Sequence, residues 1–191
     1  MPDTPRRQQL LEAALHVIAD EGLKGLTHRA VDRRAGLPEG SCSAYFRTRR
    51  SLQAALAEHV TEIILGDVDR LADDLACAAE PEGIDAALDL FSGWLEQREL
   101  LVARLELTMA ASRDAELAAV LVSQRSRVIE LVERIMSATG KQHSAERAET
   151  LTASYDGILL AALLKPQRQR RAFLQRSFEL LGSGLAGPAD A

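Results

Sequence analysis

From Arg6 to Glu21 the apolar residues Leu10, Leu11, Ala14, Val17 and Ile18 recur at spacings of three and four, which predicts an amphipathic helix. Gly22 ends it, since glycine tolerates the left-handed conformation that closes many helices. Thr27 is placed to N-cap a second, short helix over His28–Ala35, with Leu26 before the cap free to pack against it. Gly36-Leu37-Pro38 breaks the pattern, and a third short helix is predicted over Glu39–Phe46. After Arg47-Thr48-Arg49, with Thr48 as the next N-cap, the longest helix runs from about Arg49 into the seventies. Its seam is Leu52, Leu56, His59, Ile63, Val68, Leu71 and Leu75.

Pro81-Glu82-Gly83 then separates a helix carrying Ile84, Leu88, Phe91 and Leu95. Further helices are expected over about 99–112, 115–137, 144–164 and 168–181, closed by Gly140, Pro166 and the glycines Gly182 and Gly184. No stretch longer than four residues alternates as a strand. The expectation is an all-α chain of about nine helices. Its first three form a head over residues 1–50, a long helix joins them to a helical body over 51–184, and 185–191 form a disordered tail.

Composition narrows the class. Of 191 residues, 47% are hydrophobic and only 4% aromatic, with six prolines and twelve glycines, which favours helices over a sandwich or barrel. The longest apolar run, Ile158–Leu164, is far too short to span a bilayer. The start, MPDTPRRQQL, has no apolar stretch of the signal-peptide kind, so a cytoplasmic location away from membranes is expected. Two cysteines, Cys42 and Cys77, make no disulfide framework, and Cys42 falls on an apolar position as a small buried hydrophobe. The histidines His16, His28, His59 and His143 are scattered without metal-ligand spacing. Phosphate-binding glycine loops and nucleophile elbows are also missing. No metal, no cofactor and no enzymatic activity are expected.

The formal charge of −5 hides an asymmetry. Residues 1–51 carry nine Lys/Arg against six Asp/Glu, a formal +3, while the other 140 carry fourteen against twenty-two, a formal −8. Neutralising phosphates needs local positive charge only, so a basic head on an acidic body suits a protein whose head alone meets a polyanion.

A stabilising helix, then helix, glycine-containing turn and helix is the order of a helix-turn-helix DNA reader. The first helix of the pair would cross the DNA backbone, with Thr27, His28 and Arg29 at its amino end facing phosphate. In the second, Cys42 and Phe46 are four apart and would point inward, turning Glu39, Ser41, Ser43, Ala44 and Tyr45 outward. Arg47 and Arg49 lie just beyond, where they could clamp a phosphate. With Pro38 and Gly40 in the turn and Thr48 after the helix, these residues make up the expected DNA surface. Glu39 is open to two roles, accepting from a cytosine amino group or serving the helix dipole.

The segment LTHRAVDRRAGLPEGSCSAYFRTRRSLQAAL resembles the DNA-binding head of the TetR family of bacterial regulators. The matching positions are Thr27, Val31, Ala35-Gly36, Gly40, Phe46, Arg49 and Leu52, with Ala14 and Glu21-Gly22 upstream, and the likeness covers about residues 8–55. Three positions depart from the family pattern. Asp32 replaces a small residue, and its carboxylate needs water or an arginine partner. Ser43 stands where a phosphate-contacting tyrosine is common. Arg49 replaces a lysine, giving a fork in place of a point charge.

The resemblance implies a homodimeric, ligand-responsive transcriptional regulator. It would most naturally be a repressor of a palindromic double-stranded DNA operator, released by a small apolar or amphipathic effector. It also implies an effector pocket in the body, for which His59, Phe91, Trp94, Arg104, Glu106, Thr108, Met109 and Tyr155 are the candidates. For the dimer interface, the apolar positions of the last two helices are Leu151, Tyr155, Ile158, Leu159, Ala162, Phe173, Leu174, Phe178 and Leu181. Ala153, Gly157 and Ala161 recur every fourth residue and permit close helix approach. Packing of this stripe within one subunit is the competing arrangement. The competing function is a helical protein- or lipid-interaction module with no sequence-specific DNA binding.

Overall fold

The computed structural model describes residues 5–77, 83–140 and 143–184, so the expected tail at 185–191 lies outside the described residues. Among the described residues there are nine helices and no strand. They are α1 (Pro5–Gly25), α2 (His28–Ala35), α3 (Ser41–Tyr45), α4 (Arg49–Cys77), α5 (Gly83–Glu96), α6 (Arg98–Ala111), α7 (Ala115–Ala138), α8 (Ala145–Leu163) and α9 (Gln167–Gly184). No helix among these residues is long and apolar enough to cross a membrane. The described residues fall into two compact units, one of those up to Ile63 with Gln97–Gln124 and the other of those in Ile64–Glu96 with those from Arg125 onward.

In the first unit, α1 packs on α2 and on α6. Burial on two sides explains why its covered set is wider than a single stripe: besides Leu10, Leu11, Ala14, Val17 and Ile18 it includes Ala13, Leu15 and Ala19. Gly22 adopts a left-handed φ of 69°, as its place in the sequence predicts, but one more turn follows it to Gly25. Thr27 caps α2, its Oγ1 accepting from Ala30 N at 3.2 Å, which stabilises such a helix by about 1 kcal/mol. Leu26 beside it is fully buried. At the start of α4, Thr48 Oγ1 accepts from Ser51 N and Ser51 Oγ accepts from Thr48 N, each at 3.0 Å. The reciprocal pair is a capping box with serine in the usual place of glutamate.

In the second unit, α5, α8 and α9 pack on one another. Phe91 of α5, Tyr155 of α8 and Phe178 of α9 meet with ring centroids 4.9–5.1 Å apart in edge-to-face pairs, the arrangement aromatic quadrupoles prefer. A second cluster joins Met136, Ala148 and Leu151. Arg170 donates to the carbonyls of Leu95, Leu163 and Lys165, satisfying acceptors left open at the ends of α5 and α8.

This packing corrects five positions of the expected dimer surface. Leu151, Leu159, Ala162, Leu174 and Phe178 are buried inside the protomer, the last two at 1% exposure or less, so this part of the apolar stripe of α8 and α9 is core. Tyr155, Ile158, Phe173 and Leu181 are half-buried. The outward residues are instead Ala153, Gly157 and Leu160 on α8, its C-cap Leu164, and Leu180 on α9. The last three leave 46%, 84% and 73% of their surface uncovered.

Candidate nucleic-acid interface

The second short helix is shorter than its periodicity suggests. Gly40 takes a φ of 96°, which only glycine adopts without strain, so the helix cannot start at Glu39 and begins at Ser41. At its far end Phe46 is extended at φ −124°. Cys42 and Phe46 point inward and are buried, as their spacing predicts. Ser43 and Ala44 are exposed, while Ser41 and Tyr45 are half-buried.

Asp32 supplies the main local surprise. The residue is 1% exposed, and its partners among the described residues are backbone amides in place of an arginine. Oδ1 accepts from Cys42 N at 2.7 Å and Oδ2 from Gly40 N at 2.8 Å, so a side chain of α2 holds the first amides of α3. Hydrogen bonds to a charged group contribute about 1.5–3 kcal/mol each. The arginine partner that the sequence suggests is replaced by backbone amides. The available signal was position: Asp32 lies four residues after His28 and just before the glycine turn, on the α2 face that meets α3. His28 Nε2 is 2.6 Å from the Phe46 carbonyl at the other end of α3.

Around this pair lies an open concavity lined by Thr27, His28, Arg29, Asp32, Glu39, Gly40 and Ser43. Arg29 and Glu39 face each other across it at 3.9 Å, both well exposed, an ion pair of little energetic weight. Ser41 Oγ donates to Pro38 O and Ser43 Oγ to Gly40 O, so each hydroxyl keeps lone pairs with which to accept. Pro38 and Thr48 are exposed at the two borders. Arg47 is exposed and has no side-chain hydrogen bond or ion pair among the described residues. Arg49 is exposed too, but its Nη2 donates to the carbonyls of Leu23 and Lys24 at the end of α1. Arg50 pairs with Asp114 and Glu116 at 3.1 and 3.2 Å.

The candidate effector residues divide between the units. Phe91, Trp94 and Tyr155 converge in the second, with Trp94 5.0 Å from Phe91 and its Nε1 donating to Asp67 Oδ2 at 2.8 Å. Burial pushes the Tyr155 hydroxyl up to about 12. His59, Arg104, Glu106, Thr108 and Met109 belong to the first unit. Glu106 accepts the Leu23 amide at 3.1 Å, taking up the donor freed by the Gly22 kink. His59 Nε2 lies 3.3 Å from Glu12 Oε1 without hydrogen-bond alignment. Thr108 and Met109 are exposed, and Thr108 Oγ1 donates to Arg104 O within its own helix. Phe178 joins the aromatic cluster, although its place in the sequence marked it only as interface.

No group of three or more metal-ligating side chains comes together among the described residues. Burial first, and the Asp32 charge second, push the Cys42 thiol up to about 12. Cys42 should therefore resist iodoacetamide at pH 8 until the protein is unfolded, while the exposed Cys77 alkylates in the native state. Mass spectrometry of the peptides checks this, and rapid native labelling of Cys42 would contradict its burial.

Comparison with known proteins matches residues 10–56 to the family described as bacterial regulatory proteins, tetR family. Residues 78–181 match a tetracyclin repressor-like C-terminal domain. The HTH-type transcriptional regulator PksA of Bacillus subtilis strain 168 is 26% identical over 180 residues, covering 90% of this chain and 85% of PksA. A TetR-family member from Streptomyces coelicolor A3 is 27% identical with a TM-score of 0.69, covering 91% of this chain and 98% of its own. The multidrug binding protein EbrR, solved in complex with ethidium, is 28% identical with a TM-score of 0.64, covering 92% and 99%.

Proposed function

Because the chain belongs to the TetR family and is accordingly a DNA-binding transcriptional regulator and not an enzyme, we propose that it acts as a dimeric repressor released by a small effector. The observation that carries this reading is the outward face of α3. Short polar side chains stand there beside an arginine with no partner among the described residues, while Cys42 and Phe46 anchor the helix from within. In this reading residues 1–50 are the DNA-reading head and 51–184 the effector-binding and dimerising body.

Two heads would enter successive major grooves of a palindromic operator, about 34 Å apart along one face of the duplex. Glu39, Gly40, Ser41, Ser43 and Ala44 would lie nearest the bases, with Thr27, Arg29, Pro38, Tyr45, Arg47 and Thr48 along the phosphates. His28 and Arg49 stand on the same surface, but the donors described above already hold backbone carbonyls. A second copy of the chain would cover Leu160, Leu164 and Leu180, with Ala153 and Gly157 permitting close approach. The aromatic surfaces of Phe91, Trp94 and Tyr155 suit a flat aromatic effector. That EbrR was crystallised with ethidium supports this class. The effector would shift operator binding only by its differential affinity for the DNA-competent and DNA-incompetent forms.

Selection of duplexes from a random pool by the purified protein tests the reading, with an inverted repeat as the expected product. On that repeat Arg47→Ala should weaken binding about fivefold and reduce the slope of log K against log salt by about one, as loss of one phosphate contact requires. If Arg47→Ala and Tyr45→Ala both bind like the parent, the DNA surface is misplaced.

A further inference from the structure

We propose that His28 and Asp32 form a two-point bracket that sets the angle of α3, and that through this bracket they determine operator specificity as positioning residues. The inference rests on the reading of the head as a sequence-specific DNA reader. α3 has five residues, about one and a half turns, too few to hold a helical shape or direction unaided. Its N-cap is Gly40, which has no side chain to cap with. The ties come instead from α2. Residues 28 and 32 are four apart on that helix and project from one face, so both reach α3, one at each end.

The chemistry at each end matches the end it holds. At the start, the Asp32 carboxylate accepts from the amides of Gly40 and Cys42. At the finish, the Phe46 carbonyl can only accept, so His28 Nε2 carries the proton and donates to it. An anion at the amide end and an N–H donor at the carbonyl end both favour the helical arrangement. With Asp32 sealed from solvent, water cannot stand in for either bond.

Base reading makes the angle matter. Ser41, Ser43 and Ala44 are short, so a few degrees of rotation takes them out of reach of a base edge. Long arginines at the rim still find phosphates after such a rotation. A loosened bracket therefore lowers discrimination between sequences and leaves sequence-independent binding in place. A lost phosphate contact does the reverse, weakening all duplexes alike and flattening the salt dependence.

The test uses the full-length protein, the duplex it selects from a random pool and a scrambled duplex of the same composition. Binding is followed by fluorescence anisotropy across salt concentrations, alongside circular dichroism melting. Asp32→Asn keeps the volume but sets an NH2 group against one of the amides. His28→Ala removes the donor at the other end, and His28→Gln restores one. The expected result is a fall of about tenfold or more in the selected-to-scrambled affinity ratio for Asp32→Asn and His28→Ala. Scrambled binding and salt slope should change far less than that ratio, and His28→Gln should recover much of it. If Asp32→Asn melts below the assay temperature, the two His28 variants decide alone. An unchanged ratio, or equal loss on both duplexes with a shallower slope for His28→Ala, would overturn the bracket. A wild-type protein that enriches no sequence would instead overturn the regulator reading beneath it.

Discussion

Replacing Leu160 and Leu164 together by glutamate should leave each protomer helical and convert a dimer to a monomer. Leu160 lies on the outer face of α8 and Leu164 is its C-cap, 46% and 84% exposed within the chain. Glutamate is a good helix former, and surface exchanges away from packed groups usually change protomer stability by less than about 0.5 kcal/mol. Within a subunit interface the same carboxylates would be taken out of water without partners, at a cost of several kcal/mol for each copy. Sedimentation should report the halved mass and circular dichroism an unchanged helix content. Affinity for a palindrome should drop by about 100-fold or more, because a second head no longer binds as an intramolecular event. Leu159 is the control. It is 3% exposed, so Leu159→Glu buries a charge in the core and should unfold the protein rather than split it. A double variant that stays dimeric would place the interface elsewhere.

The contrast between Leu159 and Leu160 shows where sequence reading stops. Periodicity of three and four marks every position that some apolar surface covers, and it located all nine helices to within a few residues. It carries no label for which surface does the covering. The stripe through Leu151, Leu159 and Ala162 reads equally well as core or interface, and only the packing of α5, α8 and α9 assigns it to the core. The same limit applied in the head. Cys42 and Phe46 were legible as inward residues because four-residue spacing is a property of the helix itself. The Asp32 partners were not, because they are backbone amides of another element, which every sequence supplies and none advertises. Glu106 is a parallel case: a polar residue on an apolar helix reads as a ligand contact, yet its oxygen takes the Leu23 amide beside a kink. Buried polar groups find partners as a rule, and the nearest unpaired amide often serves.

Phe178→Ala should strongly destabilise the body. The ring is 1% exposed and stands 5.0 Å from Phe91 and 4.9 Å from Tyr155, at interplanar angles of 86° and 67°. Truncating a buried phenylalanine costs about 3–5 kcal/mol, combining lost transfer energy with the cavity left behind. Against a total stability of roughly 5–15 kcal/mol that is a large share, and urea unfolding should show it as a lower midpoint at unchanged slope. Phe173→Ala, at a half-buried position nearby in sequence, should cost less, which separates packing from helix propensity. The vacated space would be apolar and flanked by aromatic rings, the kind of cavity that stays dry and admits a small aromatic molecule. Toluene or indole should then raise the melting temperature of Phe178→Ala more than that of the parent, as binding to the native state alone requires. Equal shifts for the two proteins would mean that the rings close over the gap. In that case the aromatic cluster is pliant, and its fit to a flat effector would depend on rearrangement rather than on a preformed shape.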